Sequence, residues 1–205
     1  MAFEYSDIES NSTKIHLLKY DEFDPFAHLD KLTGLERERL STFSHIKRQR
    51  EFVATRLLRH ELFGYEHIHY DAHGAPFIEQ EGYISISHST NQVGIAVNSN
   101  YQVGLDLEPH RSNILSLAHK FLSHEERLSF DCTNPVTVTK IWSCKEALYK
   151  LAGRKKIIFK DDLVVGDNWN CLIDNYDHKL KVKMDIFDID ETIISINASK
   201  FERID

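Results

Sequence analysis

Two segments of helical period, each closed by a glycine and each followed by alternating strands, set the frame for this chain. KRQREFVATRLLRHELF at 47–63 runs into Gly64, and a second stretch at about 136–152, containing TVTKIWSCKEALYKLA, runs into Gly153. Glycine stops a helix because it takes the left-handed conformation without a steric penalty. After the first helix come YISIS at 83–87 and VGIAVN at 93–98, joined across HSTNQ as a hairpin. After the second come NCLIDN, KLKVKMDIFDID and TIISINAS. A short strand is expected at 13–19, a helix behind a Thr cap at 33–42, and another helix near 112–130. ATRLLRHELFG (54–64) and SCKEALYKLAG (143–153) make similar helix ends, and YISISHSTNQVGIAVN has a counterpart in KMDIFDIDETIISINA. Internal duplication explains this, and so does the general likeness of amphipathic helices. If the halves are duplicated, they pack side by side and the cleft between them is the natural binding place.

At 205 residues with 41% apolar side chains, one compact body or two closely packed halves both fit. A net charge of −7 argues against broad nucleic-acid binding. No apolar run approaches the roughly 20 residues that span a bilayer. The start, MAFEYSDIES, lacks the basic and apolar regions of a signal peptide. Cys132, Cys144 and Cys171 are odd in number and form no CxxC pair, which suits a reducing cytoplasm better than a disulfide framework or a zinc finger.

Residues 103–110, VGLDLEPH, alternate with the period of a strand that buries one face. Side chains two apart share a face, so Asp106 and Glu108 point the same way. Two carboxylates about 4 Å apart repel by about 4 kcal/mol at an effective dielectric near 20. On the 136–152 helix, Trp142, Glu146 and Lys150 fall on one stripe, while Ile141, Cys144, Leu148 and Leu151 form a separate apolar stripe for the core. A solvated Glu–Lys pair is the plain alternative for that stripe, but a Trp beside it points to a partly covered face. Asp106, Glu108 and Glu146 together make a set of hard oxygen donors suited to Mg²⁺, which turns repulsion into coordination.

An anionic ligand would meet the positive run Lys47, Arg48, Arg50, Arg56 and Arg59. Lys47 and Arg50 read as a solvated face. Arg56 and Arg59 are interleaved with Leu57, Leu58 and Leu62, so their guanidinium groups should be aimed at a fixed anion such as phosphate. Ser87 and His88 end a strand and open a turn, where hydroxyl, imidazole and backbone N–H groups can converge on phosphate oxygens. His67, His69 and His73 in EHIHYDAH lack the fourth ligand that a zinc site would need.

ISISHS, VGLDLE, FLSHEE and WSCKEALYK, in this order across about residues 36–153, closely resemble the Sfp-type 4′-phosphopantetheinyl transferases. The resemblance implies an α+β fold of two similar α/β halves, 1–100 and 101–205, related by a pseudo-twofold axis with the active site between them. It implies coenzyme A as donor, Mg²⁺ as cofactor and an apo acyl or peptidyl carrier protein as acceptor, in a monomer. It makes Asp106, Glu108 and Glu146 the metal ligands and places Lys150 near the reacting phosphate. Arg56 matches the arginine that holds the 3′-phosphate of coenzyme A, with Arg39 a second candidate for that phosphate. Ser87 and His88 match the pair that touches the nucleotide phosphates. Either Glu146, acting through water, or Glu126 of FLSHEE would take the serine proton, and Glu126 could instead contact the carrier.

Two departures stand out. Ala75 occupies the place of a frequent family lysine in HGAP, and Gly153 is followed by Arg154 and Lys155, which could compensate for it or face the carrier. Rival readings are a Mg²⁺-dependent hydrolase of nucleotide diphosphates and a coenzyme A-binding regulator without transfer activity.

Overall fold

The structure is a computed structural model that describes residues 3–154, 156–174 and 179–204. The strands are β1 (Phe3–Ser10), β2 (Thr13–Tyr20), β3 (His69–Tyr70), β4 (Pro76–Phe77), β5 (Tyr83–His88), β6 (Gln92–Asn98), β7 (Leu105–Pro109), β8 (Leu163–Val165), β9 (Asn170–Asp174), β10 (Lys179–Ile189), β11 (Thr192–Asn197) and β12 (Glu202–Arg203). The α-helices are α1 (Gly34–Ser41), α2 (Ile46–Phe63), α3 (Ile114–Leu117), α4 (His124–Ser129) and α5 (Pro135–Leu151). One sheet runs β1-β2-β6-β5, and the other runs β7-β11-β10-β9-β8 with β12 also on β10. In both, the strand before the long helix lies antiparallel to the second strand of the hairpin that follows it: β2 beside β6, β7 beside β11.

Packing orders these parts into layers. Leu18, Tyr20, Val93 and Ile95 bury against Val53, Ala54, Leu57 and Leu58 of α2. The opposite faces of β2 and β6, through Ile15, Leu17 and Ala96, pack on Leu105, Leu107, Ile194 and Ile196 of the second sheet. That sheet's far side is covered by α5, whose Ile141, Cys144, Leu148 and Leu151 are buried as the apolar stripe requires. The sequence is therefore helix, sheet, sheet, helix. Strand β7 is covered on both faces rather than one, because α5 lies over the side that carries Asp106 and Glu108. Gly104 permits this approach: a Cβ there would sit 2.2 Å from the Ala147 carbonyl oxygen.

Several boundaries follow from caps. Thr33 and Glu36 form a reciprocal capping box at the start of α1. Asn134 accepts from Val136 and Thr137 N–H at the start of α5, with Pro135 in the first turn. The helix expected near 112–130 is not continuous. Ser123 is extended and caps α4 with Glu126, so the chain breaks into α3, a 3₁₀ turn at 118–120, and α4. Strand β1 has no counterpart among the expected elements, since most of its residues are exposed and no alternation marks it. Among the described residues, no helix is long and apolar enough to cross a membrane.

Candidate active site

The two sheets meet at the edges β5 and β7, and serines rather than backbone carbonyls join them. Ser85 and Ser87, two apart on one face of β5, accept from the backbone N–H of Leu105 (2.9 Å) and Leu107 (3.0 Å). Ser87 Oγ also donates to Asp106 Oδ1 at 3.1 Å. From α5, Lys150 Nζ donates to Asp106 Oδ1 (3.0 Å), Ser87 Oγ (3.0 Å) and Leu105 O (2.7 Å). A serine and a lysine thus hold Asp106 by one oxygen. Its other oxygen, Oδ2, is buried and has no hydrogen-bond partner.

Glu108 and Glu146 lie beside it. Glu108 accepts from Trp142 Nε1 at 3.3 Å and is ion-paired with Arg111. Burial, with the Asp106 charge adding to it, pushes both Glu108 and Glu146 up to about 7 from the ordinary 4.5. The donor set, all hard oxygens with Asp106 Oδ2 and Glu108 Oε1 buried and without a hydrogen-bond partner and with two carboxyls pushed towards protonation, fits a divalent cation in chemistry. The geometry is not closed around such an ion: Lys150 and Arg111 take part of the carboxylate charge. Among the described residues, no three His, Cys, Asp or Glu side chains are grouped to hold a metal ion.

Two adjoining cavities flank this seam. One, of about 430 Å³, is lined by Asp106, Glu108, Glu146, Lys150, Arg111, Trp142 and Ser87. The other, of about 570 Å³, is lined by Arg39, Arg48, Arg56, Phe43, Phe52, His67 and Tyr70. Glu51, Ile86, His88 and Arg154 line both, so the basic chamber gives onto the acidic one. In the basic chamber Arg56 stacks on Phe52, 4.0 Å from the ring centre, and Arg39 lies over Phe43 at 5.2 Å. Arg48 approaches His88, with Nη1 3.4 Å from Nε2. Burial holds the His88 imidazole below its ordinary value.

The structure redistributes several expected roles. Arg59 does aim at a fixed anion, but that anion is internal: its Nη2 donates to Glu36 Oε2 at 2.7 Å, and both side chains are buried. Glu36 also accepts from Arg56 Nε at 3.3 Å, so only Arg56 of the two reaches the cavity. Ser87 is engaged in the sheet seam as both donor and acceptor. Glu126 is not brought to the carboxylates. It is 1% exposed, accepts from Ser123 N–H and Val165 N–H at 2.8 Å each, and pairs with buried Lys145 at 2.9 Å. His67 and His69 meet edge to face at 4.8 Å, and His69 stacks on Phe77.

Arg154 donates from Nη1 to Gly74 O at 2.6 Å, beside Ala75, whereas Lys155 lies outside the described residues. Sequence reasoning gave no role to Glu51, which is 7% exposed at the junction of the chambers, or to Arg111. Arg111 stands three residues after Glu108, a spacing that could have marked it.

The comparisons with known proteins agree with this geometry. The family model of the 4′-phosphopantetheinyl transferase superfamily matches residues 102–169, which hold β7, α5 and all three carboxylates. The chain is 31% identical over 165 residues to the 4′-phosphopantetheinyl transferase HetI of Nostoc sp. (strain PCC 7120 / SAG 25.82 / UTEX 2576), covering 69% of this chain and 70% of that protein. The chain belongs to the 4′-phosphopantetheinyl transferase superfamily and is an enzyme of that class.

Proposed function

We propose that the protein transfers the 4′-phosphopantetheine arm of coenzyme A to a serine of an apo acyl or peptidyl carrier protein and releases 3′,5′-ADP. The observation that carries this reading is the basic chamber opening onto the acidic one. A ligand with a phosphorylated nucleoside at one end and a pyrophosphate in the middle matches that order of charge. In this reading Arg56, assisted by Arg39, holds the 3′-phosphate, and His88 faces the nucleotide phosphates. Asp106, Glu108 and Glu146 would hold Mg²⁺, which when bound neutralises charge on the pyrophosphate.

The serine oxygen forms a bond to the β-phosphorus while the bond from that phosphorus to the bridging oxygen breaks. The leaving 3′,5′-ADP carries away the electron pair. The serine proton passes through a water to Glu146, which faces the acidic chamber, whereas Glu126 is enclosed by its own donors. Lys150 adds fixed positive charge beside Asp106, so catalysis rests on positioning and charge compensation. The halves 1–100 and 101–205 are taken as pseudo-twofold related around this site, in a monomer that works in the cytoplasm.

Mass spectrometry of a panel of apo carriers, incubated with coenzyme A with and without chelator, tests the reading. A carrier that gains the phosphopantetheine arm, and loses that gain in chelator, supports it. Release of 3′,5′-ADP without any carrier would instead make the protein a hydrolase. Coenzyme A binding with no carrier modified across the panel would make it a regulator.

A further inference from the structure

Arg154 occupies a backbone position that favours glycine. It follows Gly153 at the end of α5, and both have positive φ, 57° for Arg154 and 75° for Gly153. The turn is closed through the backbone groups of these residues: Arg154 N–H donates to Tyr149 O at 3.1 Å, Gly153 N–H donates to Lys150 O at 3.1 Å, and Arg154 O accepts from the Tyr149 hydroxyl at 3.3 Å. A second glycine would satisfy the same bonds without strain, so the local conformation gives no reason for an arginine there. A strained residue that the fold retains points to its side chain.

That side chain spans the seam. Its Nη1 reaches from the end of α5 to the Gly74 carbonyl, in the turn before β4. There the guanidinium lines the basic chamber, the acidic chamber and a third cavity of about 100 Å³ beside Ala75 and Lys150. Its charge acts on Glu146, lowering that carboxyl against the effect of burial.

Resting on coenzyme A as the ligand, we propose that Arg154 binds the pyrophosphate where the ligand passes from the basic to the acidic chamber. The Gly74 carbonyl fixes one edge of the planar guanidinium, which sets the plane in which its remaining N–H groups meet phosphate oxygens. The competing role is a tether for the turn at 71–75, which would affect stability and leave ligand affinity alone.

Calorimetric titration of the full chain with coenzyme A and with 3′-dephospho-coenzyme A separates these roles, alongside thermal unfolding. Arg154→Gly is expected to weaken both ligands about tenfold or more, the scale of a lost charge-assisted contact. Its unfolding midpoint should stay within a few degrees, because relief of the positive φ offsets the lost tether. Arg154→Gln, which carries an amide donor but no charge, should lose affinity likewise, and Arg154→Lys should retain most of it. Unchanged affinity in the Gly and Gln variants, whatever their midpoints, makes Arg154 a tether and overturns the proposal. A loss for coenzyme A but not for the dephospho form overturns the pyrophosphate assignment. If the unaltered protein binds neither ligand, the coenzyme A reading itself fails and this assignment falls with it.

Discussion

Replacing Glu126 with glutamine separates a structural carboxylate from a catalytic one. Glu126 Oε1 accepts from Val165 N–H, while Oε2 accepts from Ser123 N–H and faces Lys145 Nζ at 2.9 Å. Every oxygen is thus met by a donor, and neither ion-pair partner is more than 1% exposed. A glutamine keeps one acceptor but turns an NH₂ group towards a donor and leaves the Lys145 ammonium without its counter-charge. Lys145 retains the carbonyls of Phe121 (2.6 Å) and Phe159 (2.8 Å), which soften the loss without replacing a charge. Breaking one side of a buried ion pair costs about 3–5 kcal/mol. For a chain of this length, that corresponds to a midpoint roughly 6–20 °C lower.

The assay pairs differential scanning calorimetry with turnover of an apo carrier, measured well below the variant's midpoint and expressed per folded molecule. The expected outcome is a large fall in midpoint with turnover within about threefold of the unaltered protein. An unchanged midpoint with turnover abolished would refute the reasoning and return Glu126 to the chemistry.

Four further outcomes follow from the same geometry. Asp106→Asn keeps the shape but removes the charge between Lys150 and the neighbouring carboxyls, so carrier modification should fall at least about 100-fold, the scale of a lost charge-stabilising group, with the circular dichroism spectrum intact. Arg56→Ala should raise the dissociation constant of coenzyme A about tenfold more than that of its 3′-dephospho analogue; equal losses would move the 3′-phosphate elsewhere. Gly104→Ala forces α5 off β7, because the new methyl would lie 2.2 Å from Ala147 O, and should cost both stability and turnover. Glu108 and Glu146 hold their protons up to about 7 in the folded chain, against 4.5 in an unfolded one. The folded state binds more protons in that window, so chelated protein should lose stability as pH rises through it, by a few kcal/mol at most. The unfolding midpoint measured across this range, compared with a Glu108→Gln/Glu146→Gln double variant that lacks the slope, checks the sign, and a midpoint that rises relative to the variant contradicts it.

What the sequence made legible was set by periodicity and caps. Helix α2 with Gly64, helix α5 with Gly153, and the hairpins β5–β6 and β10–β11 were readable because spacing and stop signals coincide there. The facing of Asp106 and Glu108 towards Glu146 was readable from the two-residue period of one strand and the stripe of one helix. The partner of the buried arginines was not: Glu36 lies 20 residues from Arg56 and 23 from Arg59, on another helix, and no local pattern announces it. The break at Ser123 carried a capping signature, S-x-x-E, but the helical spacing of Ile114, Ala118, Phe121 and Leu122 masked it. Ser87 read as a phosphate contact because a hydroxyl at a strand end suits phosphate, whereas its bond to the Leu107 N–H, like that of Ser85 to the Leu105 N–H, becomes visible only once the neighbouring strand edge is in place.

That stitching by Ser85 and Ser87 has a consequence for how the enzyme can adapt. A continuous backbone ladder would weld the arginine-bearing body to the carboxylate-bearing one at a fixed distance. Two hydroxyls form a seam that can be retuned one side chain at a time, and because Ile15, Leu17 and Ala96 stay packed on Leu105, Leu107, Ile194 and Ile196, such changes reshape the wall beside Asp106 and Lys150 while the stacking of the two sheets holds.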